Sequence, residues 1–224
     1  MDEDQKIALQ YQPRIRFDLA EPFAVKGMGY TVFRSTGKSA SFRRTVTVDP
    51  EKTAFAVEYA VYFDYDIQHL YDLEHVWVYV GHDGKVNDAE ASFHGKYLKA
   101  MSLGGNVENG AHVRLFCQPG KHAFLPEGRL FTLLPDWNEA CNAQAGNMGL
   151  LVMDLFGDAI STTPELQETV HRYIRGKYAF RPTLQFEPRA LDDSLFLPWP
   201  RLKAEIPIRI QKELARITGT NAPD

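Results

Sequence analysis

Between Tyr62 and Trp77 the chain reads Tyr-Phe-Asp-Tyr-Asp-Ile-Gln-His-Leu-Tyr-Asp-Leu-Glu-His-Val-Trp, which places Asp64, Asp66, Asp72 and Glu74 among His69 and His75. If the strand at Val76–Val80 reaches back to Asp72, its two-residue alternation sets Asp72 and Glu74 on the same face as Val76, Val78 and Val80. Leu73, His75, Trp77 and Tyr79 take the other face. Carboxylates that continue an apolar face cost several kcal/mol unless a cation or hydrogen-bond donors offset them. A divalent ion would do so, and carboxylate oxygens with one imidazole and water suit Mg, Ca or Mn ahead of Zn. Arginines such as Arg43, Arg44 or Arg114 could satisfy the same acids in a polar network without any ion.

The elements that would position these groups read mainly as β structure. Residues 54–63 are aromatic and β-branched, bounded by Asp49-Pro50 and Asp64, and suit a buried strand. Val76–Val80 runs into an Asp83-Gly84 turn with residues 85–92 returning. Residues 113–117, 28–34 and 42–48 supply further strands, the last two joined through a Ser35–Lys38 turn. Residues 136–147 read as a loop or short helix. Thr162-Thr163-Pro164-Glu165 opens a helix carrying Leu166, Val170, Tyr173 and Ile174 on one face. A last helix carries Ile210, Leu214 and Ile217 before Gly219, with Pro207 expected to kink or begin it. Without a repeat or Gly/Ser linker, the expectation is one domain over 1–224: a β-sandwich with peripheral α-helices in the C-terminal half, the helical elaboration starting at about 136.

Asp66, then His69-Leu-Tyr-Asp72-Leu-Glu74-His75-Val76-Trp77, resembles the Gly-His-Arg-His-Asp-Trp-Glu-His-Val segment of the necrosis-inducing-protein superfamily, the NLP-type cytolysins. The resemblance covers about residues 54–125, continuing more thinly through Ser92-Phe93-His94 and Gly120-Lys121-His122. Leu70 and Tyr71 stand where the family has Arg-His, and Leu73 where it has tryptophan. It implies a β-sandwich holding a divalent cation through Asp66, His69, Asp72 and Glu74, with Asp64 as a substitute for Asp66. His94 and His122, each at a strand end, are candidates for an acid or base near that ion. His75 is expected to be a packed histidine, and His82 and His112 to face solvent beside turns.

Two functions follow as expectations. In one, the ion organises a recognition site for a polar ligand, a glycan or lipid headgroup. In the other, a metal-dependent hydrolase uses a metal-activated water with a histidine acid or base. The net charge of -4 provides no global field for nucleic acid. No apolar run reaches the length of a membrane span. The acidic start, Met-Asp-Glu-Asp-Gln-Lys, is not a signal peptide, which favours a cytoplasmic location with Cys117 and Cys141 as reduced buried thiols. Nucleotide-binding glycine loops and the Gly-x-Ser-x-Gly elbow are absent from the sequence.

Overall fold

A computed structural model describes residues 1–220. In chain order its elements are α1 (Glu3–Gln10), β1 (Arg14–Asp18), β2 (Val25–Phe33), β3 (Gly37–Lys38), β4 (Thr45–Val46), β5 (Phe55–Tyr65) and β6 (His69–Val80). Then come β7 (Val86–Phe93), β8 (Lys96–Lys99), β9 (Val107–Glu108), β10 (His112–Cys117), β11 (Phe124–Leu125) and β12 (Gly149–Leu150). The C-terminal part adds α2 (Pro164–Tyr178), β13 (Phe186–Pro188), β14 (Phe196–Pro198) and α3 (Trp199–Thr218). The fold is mainly β. One sheet runs β14-β2-β5-β6-β7-β8 with β12 added beside β6, and the other runs β11-β10-β1-β13 with β9 beside β10.

The two sheets share one core. Ile15 and Phe17 of β1 and Val113, Leu115 and Cys117 of β10 pack in the same cluster as Val76, Val78 and Val80 of β6. Trp77 and Tyr79, on the opposite face of β6, join a second cluster with Phe33, Val46 and Val48. The alternation expected from the sequence therefore holds, and both faces of β6 are covered, so all twelve of its residues are buried. The β5–β6 hairpin closes through Asp66–Gln68, with the Asp66 N–H donating to the His69 carbonyl at 2.9 Å. Asp66 and His69 thus face each other across the turn.

Three expectations change in detail. Within residues 42–48 only Thr45–Val46 form a strand, because Ser39–Arg43 make a loop in which the Ser39 hydroxyl accepts the Ser41 and Phe42 N–H groups at 3.2 and 2.9 Å. Pro207 neither begins nor ends α3: the helix starts at Trp199 with Pro200 in its first turn, and Pro207 is inside it. Leu202, Ile206 and Ile210, buried on either side of Pro207, hold α3 on the sheet despite the lost hydrogen bond. The approach is close enough that a Cβ at Gly27 would come within 2.5 Å of Leu202 Cδ1. His112 is half-buried rather than facing solvent, since its Nδ1 bonds the Gln12 carbonyl at 2.9 Å. His82 is exposed as expected, α2 is capped by Thr163 as read, and both cysteines are buried and unpaired.

Candidate metal centre and its cavity

The end of the β5–β6 hairpin forms the floor of a cavity of about 980 Å³. Asp66, His69, Asp72 and Glu74 all line it, each with 6% or less of its surface exposed. Asp64, the alternative to Asp66, points elsewhere and is gripped by Arg209 of α3 at 3.1 and 3.2 Å. Arg44 and Arg114 are engaged with Glu90 and Glu108, so neither meets Asp72 or Glu74.

Arg43 lines the cavity. The cations in contact with the acids are Lys121, which the sequence does not single out, and His122, which it offers as an acid or base. The Pro119–Gly120 turn drops both behind the hairpin. Gly120 adopts φ +67°, and a Cβ there would sit 2.8 Å from Ile67 Cβ, so this turn needs glycine. Lys121 Nζ is 3.0 Å from Asp66 Oδ1, with 11% of its side chain exposed. His122 is fully buried, stacked on Phe63 at 3.8 Å, with Nδ1 3.2 Å from Asp72 Oδ2 and Nε2 3.6 Å from Glu21 Oε1.

Electrostatics separates the roles of these groups. Burial alone would push the His122 imidazole down, but the hydrogen bond to Asp72 and the Glu21 carboxylate raise it to about 10. Burial opposes the Lys121 charge, and Asp66 and Asp72 outweigh it, raising its pKa. Asp66 loses solvation by burial but is held below the usual carboxylate range by His69, Lys121 and His122. Glu74 is pushed up to about 8, first by burial and then by Asp72, although the Ser92 hydroxyl donates to it. Glu74 is thus the carboxylate with the least positive support.

One ligand atom each from Asp66, Asp72 and His122 lies within 4.8 Å of the others, a buried group that could hold a metal ion. By distance alone His122 would be the third ligand. Its surroundings favour another role: Nδ1 is bonded to Asp72 Oδ2 at 3.2 Å and Nε2 is 3.6 Å from Glu21 Oε1, two carboxylates that favour the protonated ring. His69 is better prepared. Its Nδ1 is 2.8 Å from the Tyr71 carbonyl, to which it donates, so in the neutral ring the lone pair is on Nε2. That nitrogen faces Asp66 Oδ1 at 3.7 Å.

His94 is at the exposed tip of the β7–β8 hairpin with φ +50°, on the cavity rim, where Nε2 bonds Gln118 Oε1 at 2.9 Å. Tyr71, His94 and His122 all adopt positive φ, between +50° and +59°, a conformation that costs non-glycine residues about 1 kcal/mol or more. His122 does not line the cavity, being screened from it behind Asp72. Lys121, Glu21 and Gln118 were missed by sequence reasoning. The Gly120-Lys121-His122 turn was legible, but not its docking against Asp66.

His75 belongs to the other face of β6, as expected. Its Nε2 is 3.0 Å from Ser41 Oγ, its ring stacks on Trp77, and burial pushes its pKa down to about 3. An unfolded histidine titrates near 6.5. Stability from this group is complete above about 6.5, and between there and about 3 the unfolded chain takes up a proton that the native chain refuses. Unfolding free energy should therefore fall by about 1.4 kcal/mol per pH unit across that window. His75→Phe should reduce the slope by one proton in denaturant titrations at several pH values; an unchanged slope would remove His75 from the acid response.

No family model and no curated protein matches the chain. Solved structures do. NLPPya in complex with glucosamine shares 17% identity over 56% of this chain and 68% of its own, with a TM-score of 0.36. NLPPya in complex with mannosamine shares 17% over 55% and 67%, with a TM-score of 0.35. Necrosis and Ethylene inducing Protein 2, from the causal agent of cocoa's Witches Broom disease, shares 19% over 68% and 87%, with a TM-score of 0.34. The likeness to these NLP toxin structures is divergent. Among the described residues no helix is long and apolar enough to cross a membrane.

Proposed function

We propose that this protein binds a divalent cation through Asp66, His69, Asp72 and Glu74, and that the ion organises a recognition site for a polar ligand in the cavity above it. One observation carries the reading. Four buried carboxylates, those of Glu21, Asp66, Asp72 and Glu74, converge on two buried cations, Lys121 and His122. Four carboxylates against two cations leave an excess of negative charge, which Glu74 relieves by holding its proton to about pH 8. A divalent ion supplies the missing charge. Three carboxylates with one imidazole favour Mg, Ca or Mn over Zn.

The cavity also supports a hydrolase reading with the same ion, in which His94 at the rim is the acid or base. His122 is the weaker candidate, because it is closed off behind Asp72. A screen of phosphoester, ester and glycoside substrates separates the two: turnover lost in His94→Gln favours hydrolysis, and silence with intact ion binding favours recognition.

The ion is tested directly by metal analysis of purified protein and by thermal unfolding with chelator or with Mn, Mg or Ca. At a free ion concentration one hundred times Kd, stability should rise by about 2.7 kcal/mol, which for a chain of this size is a melting shift of roughly 5–10 °C. Asp72→Asn should abolish the shift. No bound metal and no shift with any ion would overturn the proposal.

A further inference from the structure

The cavity is far larger than an ion requires. About 980 Å³ is room for roughly thirty waters, the size of a pocket for an organic ligand. Its lining is of two kinds. One group is the carboxylates with His69, Gln118, Lys121 and Arg43. The other, from residues 134–155, is a wall of Leu134, Met148, Leu151, Met153 and Leu155, with the exposed Asp136 and Asp154 among them. Four of the five apolar residues are only half-buried, and Met148 is 46% exposed, so the wall presents apolar surface to the cavity instead of packing it into the core.

This wall is fastened to the hairpin that carries the candidate ligands. The Gly146 and Met148 N–H groups donate to the Ile67 and Gln68 carbonyls at 2.8 and 2.9 Å, and β12 pairs in parallel with β6, Gly149 opposite His69. The Met153 N–H donates to the Tyr71 hydroxyl at 3.0 Å. The charged floor and the apolar wall are therefore held on one frame. Methionine and leucine side chains, unbranched at Cβ, adapt to a flexible chain more readily than to a rigid ring. A wholly polar sugar would leave this wall wet.

From the joining of these two surfaces we infer that the ligand is an amphiphile: an oxygen-rich head at the Asp66/Asp72/Glu74 carboxylates and an unbranched apolar tail along the Leu134–Leu155 wall. This deepens the recognition reading and rests on it for the head only. Burial of one methylene is worth roughly a fourfold change in affinity, and with a wall open on one side about two- to fourfold per methylene is expected.

The test measures binding of acetate, hexanoate and decanoate, below their aggregation concentrations, to the full chain with Mn present or removed by chelator. Decyl phosphate and decyl glucoside are added to distinguish phosphate and sugar heads from carboxylate. Affinity should climb with chain length for the native protein. Leu151→Ser and Met153→Ser should flatten that climb while leaving the Mn-dependent melting shift intact, which also shows that they fold, and Met153→Leu should keep it. Equal affinity for hexanoate and decanoate overturns the inference, as does a climb that both serine variants preserve. The two readings fail separately. Chain-length dependence indifferent to chelator sustains the tail and sinks the ion, whereas a Mn shift without chain-length dependence does the reverse.

Discussion

Lys121→Met should unfold about 3–5 kcal/mol more easily than the native chain in the presence of chelator, the cost of removing one partner from a buried ion pair. For a chain of this length that is roughly a 10 °C fall in melting temperature. The ammonium is 3.0 Å from Asp66 Oδ1, and Asp66 is itself buried, so the carboxylate loses its fixed counter-charge. Without it, Asp66 keeps only His69 and His122 as positive neighbours, and Glu74 only His122. The same substitution should tighten binding of a divalent ion, because the fixed ammonium repels any cation entering beside Asp66. Mn should thus restore most of the lost stability, and the variant should depend on the ion far more steeply than the native chain. Lys121→Arg, which keeps the charge, should lose much less. Unchanged stability in chelator would mean that Lys121 compensates nothing. A loss that no ion repairs would leave the acids as a structural network around a lysine.

What the sequence made legible is the part governed by local alternation. Asp72 and Glu74 share a face with Val76 and Val78 because the strand period is two, and that face is in the core between the sheets. The hairpin turn at Asp66–Gln68, which brings Asp66 opposite His69, was not legible, since β6 begins at His69, three residues before the expected strand edge at Asp72. Contacts made by distant chain are a different matter. Glu21 reaches His122 across about a hundred residues, and nothing in the composition around Glu21 marks it. The Leu134–Leu155 wall reads as an irregular loop, since its order comes from hydrogen bonds to the hairpin rather than from any period of its own. Pro207 is inside α3 and does not begin it, because the packed stripe of Leu202, Ile206 and Ile210 carries the helix past the proline. Alternation placed Asp72 and Glu74 on one face and the resemblance proposed Asp66 and His69 beside them, while charge balance and cavity shape needed the tertiary structure.

His122→Phe should be as damaging as the lysine change, for a different reason. A phenyl ring can keep the stack on Phe63, now at 3.8 Å, so packing is largely preserved while both N–H groups vanish. Asp72 Oδ2 and Glu21 Oε1 then lose the cation between them. The expected cost is again about 3–5 kcal/mol. Ion affinity should also weaken by about 10- to 100-fold, the usual effect of deleting a group that orients a ligand from behind. A double-substitution cycle isolates the cause. Glu21→Gln alone should destabilise, because it removes one of the imidazolium's two acidic neighbours. In the His122→Phe background it should cost much less, because the carboxylate there has already lost its cation and keeps only the Phe23 and Gly120 N–H groups, at 3.1 and 2.7 Å. A loss that shrinks in this way would establish the Glu21–His122–Asp72 chain as a charge-balanced unit behind the ion. Additive losses would show that His122 acts by packing, and abolished ion binding with stability intact would make it a ligand in its own right.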